Sequence, residues 1–348
     1  MKLSVLDQST ASKGKTQDVA IRETLALAKH CDTLGYHRYW VSEHHNSGNI
    51  VGTAPEVLMA AIAATTPRIR VGSAGVMLPH YSALKVAEQF RVLEAIAPGR
   101  IDLGIGRAPG SDGLTSHALN PHPENVEDQF PRQVQELQYW VSGTPLPEGH
   151  PYQKIFAQPT GPGTPDIWML GSSNYGAQLA AYFGMPYAFA YFFSGGAGVE
   201  QALELYRKNY KPSERYPKPN ATICVWALAA DTEEEAWRQF KSRERSTINR
   251  EFGIRLPLIS PEEAATQTYS AAEEAIAGKL RRKSIVGTVQ HVEEKLRELA
   301  ARLELDELVI VTWTFDPEPR HRSYELIAKA FGLNTGSAAQ PNLQTVSG

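Results

Sequence analysis

An acidic residue and two histidines, Glu43, His44 and His45, follow an apolar, strand-like run at residues 39–41 after one serine. A histidine that titrates near neutral pH, with a carboxylate beside it, is suited to general acid–base catalysis. Metal binding fits less well, because neighbouring side chains diverge on an extended backbone and no third ligand follows at a suitable spacing. A plain loop with a helix cap is the alternative. We interpret the motif as a proton-transfer site and predict no metal.

A cation and a serine-containing turn indicate a site for an anion. Arg107 ends one apolar run, and Gly171, Ser172 and Ser173 end another, directly before a helix pattern. Backbone N–H groups at a helix N-terminus bind anions, and a guanidinium pairs well with phosphate. The turn alone is explained equally well as a serine-capped helix. Arg107 on the neighbouring predicted strand favours phosphate.

Small residues mark two other predicted strand ends. Residues 72–75, Gly-Ser-Ala-Gly, would let a flat ring approach the backbone, and crowding inside the fold explains them equally well. Residues 104–110 are glycine-rich, but Pro109 stands where a dinucleotide-binding motif needs its third glycine, and no helix follows at once. We therefore reject a dinucleotide site. The three features together fit a singly phosphorylated ring cofactor such as flavin mononucleotide (FMN).

Eight apolar, β-rich runs alternate with helix patterns and would place these residues at strand ends. The strands are predicted at residues 3–6, 39–41, 69–72, 101–105, 167–170, 187–191, 223–228 and 308–312. In the first half they begin about 30 residues apart, the length of one strand–helix unit. This rhythm favours an α/β fold, a TIM (β/α)8 barrel, in which chemistry lies at the carboxyl ends of the strands. A doubly wound open sheet is the alternative.

Three segments depart from this rhythm. Residues 108–124 form a long loop, and residues 250–286 form an insertion before the helix that precedes strand eight. Long loops in compact domains are usually lids or binding loops, so we predict that residues 250–286 form a lid. Residues 1–334 are predicted to form a single domain, followed by a disordered tail at residues 335–348.

Composition excludes several classes of function. The chain has 348 residues and a formal net charge of -3, which gives no indication of a nucleic-acid-binding or membrane surface. Only two cysteines occur, Cys31 and Cys224, without metal or redox spacing, which favours a reducing compartment. An acidic residue, Asp7, comes too early for a signal peptide, and no apolar run reaches the roughly 20 residues of a membrane helix. We expect a cytoplasmic protein.

Several motifs together resemble the bacterial luciferase-like flavin-dependent monooxygenases. They are WVSEHH at residues 40–45, VGSAGVMLP at residues 71–79 and PGRIDLG at residues 98–104. LGSSNYGA at residues 170–177 and SIVGT at residues 284–288 resemble an uncharacterised, non-luminescent subgroup. The resemblance extends from about residue 2 to residue 333, with the motifs in the family's order.

The resemblance implies a chemistry and its partners. Reduced FMN would serve as a co-substrate, supplied by a separate flavin reductase that uses NAD(P)H. With O2 it would form a C4a-peroxyflavin that oxidises a small organic substrate, with an aldehyde as one candidate. The lid would exclude water, which decomposes that adduct. We expect a homodimer, because exposed helices of such barrels often pair.

The resemblance also assigns roles to residues. The family's essential histidine corresponds to His44 and its neighbouring acid to Glu43, and a cis peptide under the flavin ring corresponds to Ala74–Gly75. Tyr191 corresponds to an aromatic residue beside the ring. Gly106 stands where luciferase has a reactive cysteine, a difference that bears on light emission, as does Gly171 in place of glutamate. The residues expected near the phosphate are Arg107, Leu170, Gly171, Ser172, Ser173 and Tyr175.

Three other functions compete on the same barrel. One is hydride transfer with the deazaflavin F420, which consumes no oxygen. Another is a non-catalytic flavin-binding protein, against which Glu43 and His44 argue because binding alone needs no such pair. The third is aldol or isomerase chemistry, which needs a lysine or paired carboxylates at the strand ends, and the sequence offers no convincing set.

Overall fold

The computed structural model describes residues 1–108, 110–121 and 126–333. The tail predicted at residues 335–348 lies outside the described residues, as do parts of the predicted loop at residues 108–124. Within the described ranges, no helix has the length and apolar character needed to cross a lipid bilayer.

Strands and helices alternate along most of the described chain. The strands are β1 (Lys2–Asp7), β2 (Arg38–Val41), β3 (Arg70–Ser73), β4 (Val76–Met77), β5 (Ile101–Gly106), β6 (Asp166–Gly171), β7 (Tyr187–Phe189), β8 (Ala221–Ala230), β9 (Ile285–Thr288) and β10 (Glu307–Val311). The helices are α1 (Gln17–Leu34), α2 (Pro55–Thr65), α3 (Ala83–Ile96), α4 (Gly113–Leu119), α5 (Val126–Ser142), α6 (Asn174–Tyr182), α7 (Tyr191–Ser194), α8 (Val199–Asn209), α9 (Glu233–Glu251), α10 (Pro261–Ala265), α11 (Ala271–Lys283), α12 (Val289–Arg302) and α13 (Pro317–Ala330). A 3-10 turn spans Leu78–His80.

Most of the strands form a closed parallel ring. Their order around it is β1, β2, β3, β5, β6, β7, β8 and β10, and β10 pairs with both β8 and β1, which closes the barrel. In this register Val5 lies beside Tyr39, and Ile310 lies beside Val225. Each strand predicted from the sequence overlaps one strand of the ring, so the TIM-barrel prediction is confirmed.

Burial on both faces explains why these strands read as continuous apolar runs. β2 and β10 are buried along their whole lengths, because helices cover the outer face of a parallel barrel and side chains fill its interior. Helix α1 contributes Leu27, Ala28 and Cys31 to the core between helices and strands. Gly35 ends that helix with a φ of 84°, a left-handed conformation that glycine adopts readily.

The strand predictions need three corrections. Sequence analysis predicts neither β4 nor β9. β4 pairs with β5 after a short break in the third strand, and β9 pairs with residues 227–230, the part of β8 that extends beyond the ring. β9 was hard to predict because it borders the insertion and joins no strand of the ring except β8. The predicted strand at residues 187–191 ends at Phe189, and Tyr191 begins α7.

The insertion at residues 250–286 lies against the loops that follow β1 and β2. The N–H of Leu258 donates to the Ala11 carbonyl at 2.8 Å, and the Leu258 carbonyl accepts from the Lys13 N–H at 2.7 Å. A Cβ on Gly48 would collide with the carbonyl oxygen of Arg255, so the loop after β2 also contacts the insertion closely. These contacts hold the insertion at the carboxyl-end rim of the barrel.

The opposite, amino end of the barrel is closed by a buried ion network. Arg38 donates to both oxygens of Asp102 at 2.9 and 2.8 Å and to Glu307 at 2.8 Å. Arg70 bridges Asp102 at 2.5 Å and Asp166 at 2.6 Å. Asp102 is completely buried, and each of its oxygens meets more than one donor. The network satisfies charges that would otherwise be very costly to bury.

Candidate functional site

One cavity collects the strand-end residues that sequence analysis singled out. It has a volume of about 440 Å³, within the range of small-molecule pockets, and we call it the barrel cavity. Carboxyl ends of parallel strands meet at one edge, which is why residues far apart in sequence converge here. The predicted site residues that line it are Glu43, His44, Ala74, Gly75, Gly106, Arg107, Leu170, Gly171, Ser172, Ser173 and Tyr175.

The floor of the barrel cavity is apolar. Leu6, Trp40, Met169, Ala188 and Phe189 contribute to it from β1, β2, β6 and β7. All of these side chains are buried, and Trp40 is 1% exposed. An apolar floor of this kind suits a planar ring, which gains from burial of its faces.

The third strand reaches the cavity through the Ala74–Gly75 peptide, which is cis, as the resemblance implies. A Cβ on Gly75 would lie 2.5 Å from Leu170 Cδ1 and 2.8 Å from the Gly104 carbonyl oxygen. No side chain fits there, so glycine is required for this close approach. Gly106 differs, because a Cβ at that position would meet nothing within 4 Å.

Cationic, hydroxyl and amide groups collect at one side of the barrel cavity. The guanidinium carbon of Arg107 lies 4.4 Å from the centre of the Tyr175 ring. Ser173 is the N-cap of α6, and its side chain makes no capping hydrogen bond there. Ser172 and Ser173 are exposed toward the same cavity. Such donors around a helix N-terminus are suited to a phosphate group.

His44 is nearly buried beside the cavity and is neutral at physiological pH. Its Nδ1 lies 3.2 Å from the Ser42 hydroxyl, and its backbone N–H donates to the Gly52 carbonyl at 2.9 Å. Burial, aided by the positive charge of Arg255, lowers the pKa of His44 from 6.5 to about 4. The expectation of a pKa near neutrality is therefore wrong for His44.

Glu43 does not pair with His44, and that part of the prediction is corrected. Its Oε1 accepts from the Tyr81 hydroxyl at 2.5 Å and lies 2.7 Å from His45 Nε2, and its Oε2 accepts from the Met77 N–H at 3.0 Å. Side chains alternate along an extended backbone, so Glu43 and His45 share one side while His44 faces the other. Glu43 thus ties the end of β2 to β4. In the described ranges, no group of three or more His, Cys, Asp or Glu side chains is arranged to hold a metal.

A second cavity, which we call the arginine cavity, meets the barrel cavity at His44. It has a volume of about 290 Å³. Arg243 and Arg250 of α9 line it together with Arg255 of the insertion. The residues that line both cavities are Gln8, His44, Gly110, Phe192 and Phe193. The sequence pattern does not indicate this cavity, because its arginines lie on a helix and a loop instead of at strand ends.

Tyr191 is the one predicted site residue that lies elsewhere. It lines a third cavity of about 180 Å³, the side cavity, together with Lys279 and Lys283 of α11. Because β7 ends early and α7 begins at Tyr191, the residues of α7 that reach the barrel cavity are Phe192 and Phe193. Tyr191 does not line the barrel cavity, and its place beside a flavin ring stays a prediction.

The residues of the barrel cavity fit a phosphorylated ring. The apolar side chains form the floor of the cavity. The hydrogen-bond donors around Arg107 lie on a different side of it. The side chain of Gln8 is 3% exposed, and its Oε1 has no hydrogen-bond partner among the described residues. A buried polar atom without a partner is uncommon in proteins and indicates a place for a polar ligand edge.

Comparisons with known proteins agree with this description. The family model of the luciferase-like monooxygenases matches residues 1–306. YwcH of Bacillus subtilis (strain 168) is 44% identical over 330 residues, covering 94% of this chain and 98% of YwcH. An N-acetyl-S-alkylcysteine monooxygenase of the same organism is 36% identical over 331 residues, covering 95% of this chain and 98% of that protein.

Solved structures of similar fold cover nearly the whole chain. Apo-MsnO8 superposes with a TM-score of 0.85 at 34% identity, covering 96% of this chain and 99% of its own. The oxygenating constituent of 3,6-diketocamphane monooxygenase from Pseudomonas putida, in complex with FMN, has a TM-score of 0.70 at 20% identity, with 94% and 97% covered. An F420-dependent secondary alcohol dehydrogenase reaches 0.67 at 12% identity, with the same coverage. The last two likenesses concern the fold alone.

Proposed function

The chain belongs to the luciferase-like monooxygenase family, and from this premise we propose that it is a monooxygenase that uses reduced FMN and O2 to oxidise a small organic substrate. One observation carries the proposal. A cavity with an apolar floor and a cationic, serine-containing side meets a second cavity at a buried histidine. A ring cofactor and an organic substrate can therefore meet beside His44.

FMN binding is supported by the distribution of polarity in the barrel cavity. Its ring matches the apolar floor, and its single phosphate matches the groups contributed by Arg107, Ser172, Ser173 and the first turn of α6. Gln8, with its unpaired oxygen, would contact a polar edge of the ring. The open space beside Gly106 leaves room that a larger residue would fill.

Reduced FMN, when bound, supplies the two electrons needed to put one oxygen atom of O2 into the substrate and to reduce the other to water. The protein's residues bind, orient and protect. Because His44 is neutral near pH 7, its imidazole accepts a proton rather than carrying one beforehand. The Ser42 hydroxyl near Nδ1 orients the ring and makes Nε2 the atom that exchanges the proton.

Water exclusion is the proposed task of the segments at the rim. The insertion is joined to the loop after β1 by backbone hydrogen bonds of Leu258, and Asn46 donates to Asp112 of the loop after β5 at 3.0 Å. These contacts join four rim segments in two pairs at the carboxyl end of the barrel. Excluding water would protect a reactive oxygenated intermediate from decomposition. It would also strengthen the electrostatic interactions inside the two cavities.

Supply and assembly complete the proposal. Reduced FMN would come from a separate flavin reductase that uses NAD(P)H, and the protein would act as a cytoplasmic homodimer. The reductase requirement is checked by adding NADH and FMN with and without a purified reductase. The homodimer is checked by sedimentation equilibrium, in which a mass near the 38.3 kDa of one chain would contradict it.

The test of the proposal is oxygen-dependent turnover with and without His44. Reduced FMN is mixed with the protein, O2 and a panel of aldehydes and N-acetyl-S-alkylcysteines, and an oxygenated product is sought by mass spectrometry with 18O2. The N-acetyl-S-alkylcysteines are included because one relative is an N-acetyl-S-alkylcysteine monooxygenase. We expect His44→Ala to lower turnover about 100-fold or more and to leave FMN binding intact.

The matched control is His117→Ala, because His117 is exposed on α4 and lines neither cavity. It should keep full activity. Full activity in His44→Ala would contradict the role given to His44, and turnover without oxygen consumption would favour F420-type hydride transfer. FMN binding with no turnover of any panel member would favour a binding protein.

A further inference from the structure

Arg243 is a buried cation that meets no acid. It is 7% exposed, and among the described residues no carboxylate lies within ion-pairing distance of it. Its guanidinium carbon lies 3.9 Å from the centre of the Trp226 ring, and one of its N–H groups donates to the Ser284 hydroxyl at 3.0 Å. Arginine stays charged in proteins, so this is an uncompensated positive charge inside the molecule.

Other arginines of the same helix have the acidic partners that Arg243 lacks. Arg238 pairs with Glu235 at 2.7 Å, and Arg245 pairs with Glu273 at 2.7 Å. Both of these are more exposed than Arg243. A buried charge normally needs a partner more than an exposed one does. The partner of Arg243 is therefore best sought outside the protein.

The surroundings of Arg243 point to a small anion. Arg243 lines the arginine cavity, into which Arg250 and Arg255 also bring positive charge. Glu251 lines the neighbouring side cavity, which Arg243 also lines, and it pairs there with Arg250 at 3.5 Å. The arginine cavity itself is lined by no acidic residue among the described ones. A guanidinium of fixed geometry binds a carboxylate through two parallel hydrogen bonds.

Apolar surface in the same cavity leads from Arg243 toward His44. Phe192, Phe193 and Trp313 line it alongside both residues. We propose that the arginine cavity binds the carboxylate of an organic acid, anchored by Arg243, whose apolar part lies along these aromatic residues and reaches His44. The inference rests on the proposed function, because it assigns a class to the substrate of that site.

A purely structural role is the rival explanation. Arg243 would then only cover the Trp226 face, and its loss would weaken the fold without regard to the charge of a ligand. The two explanations differ in one measurable quantity, the preference for a carboxylate over an uncharged ligand of equal size.

Hexanoate and hexanamide are the probes, since they have the same chain length and differ in charge. Binding to the flavin-free protein is measured by calorimetry and by the fluorescence of Trp226 and its neighbours. We expect the protein to bind hexanoate about tenfold or more tightly than hexanamide, as for loss of one charge-assisted contact. Arg243→Gln should abolish this preference and leave hexanamide binding within about twofold. Arg243→Lys should keep part of it.

Arg238→Gln is the matched control, because it removes an arginine from the same helix outside the cavity. It should retain the full preference. Equal binding of the two probes to the unsubstituted protein would overturn the inference, even if no variant folds. A preference that survives in Arg243→Gln would overturn it as well. FMN binding measured on the same samples bears on the proposed function separately, since Arg243 does not line the barrel cavity.

Discussion

The two ends of the barrel use charged residues in opposite ways. At the amino end, Arg38, Arg70, Asp102 and Glu307 are bonded to one another across neighbouring strands. At the carboxyl end, the cations contributed by α9 and the insertion line a cavity that no described acid enters. Arg38 and Arg243 are both buried, whereas Arg250 and Arg255 are exposed.

This difference separates charged residues that stabilise the fold from charged residues that are available to bind a ligand. Where the protein supplies both members of an ion pair, the pair supports the fold. Removing one member leaves the other as a buried charge without a partner. Where it supplies only one, the remaining partner is a ligand, and removing the charge should affect binding more than folding. Substitutions at the two ends should therefore have different signatures.

The largest effect is expected for Asp102→Asn at the amino end. The substitution removes the charge that Arg38 and Arg70 share, and we expect it to lower the free energy of unfolding by about 3 kcal/mol. Urea denaturation followed by fluorescence measures this. Asp231→Asn is the control, because it breaks an exposed pair with Arg322 and should leave the urea midpoint almost unchanged. Equal losses of stability in the two variants would contradict the structural role given to the buried network.

A smaller and different effect is expected for Arg107→Ala at the carboxyl end. Loss of a charge-assisted phosphate contact should weaken FMN binding by about 2 kcal/mol, roughly thirtyfold. The free energy of unfolding should change by less than about 0.5 kcal/mol, because Arg107 is exposed. Equilibrium dialysis and denaturation measure the two quantities. Arg107→Lys should lose less affinity, and a variant that loses stability but keeps FMN would contradict the assignment.

The smallest effect concerns His44, which we expect not to take up a proton between pH 8 and pH 5.5. Because the folded pKa of His44 is about 4, its ring resonance should not shift between pH 8 and pH 5.5. The unfolded chain takes up this proton near pH 6.5, so His44 favours the folded state above that pH, and this contribution is lost as pH falls through about 4. Nuclear magnetic resonance with His44→Gln for assignment measures the shift. A midpoint near 6.5 would contradict the burial argument.

The barrel could be predicted from the sequence because its strands are buried on both faces. Residues 101–105 and 308–312 read as continuous apolar runs for that reason, and the helix patterns between the runs fixed their connection. β9 was missed because it is short and pairs only with the projecting part of β8. Local pattern carries no information on which strand a short segment will join.

The barrel cavity was largely predictable, and the arginine cavity was not. His44, Arg107 and Ser172 stand at strand ends, and a parallel barrel must bring such positions together. Arg243 and His44 line the same cavity because of where α9 packs in the folded chain, which local sequence pattern does not indicate. Tyr191 begins a short helix and lines the side cavity, because β7 ends at Phe189, an end point that the apolar run at residues 187–191 does not indicate.

The overlong β8 has a consequence for how relatives of this protein can diverge. Its ring-forming half and its projecting half are one continuous strand, and β9 joins the barrel strands through the projecting half alone. The segment between Asp231 and Thr288 can be lengthened, shortened or exchanged without opening the closed ring of strands. Exchanging this whole stretch between relatives would change the lining of the arginine cavity and leave the closed ring of strands intact.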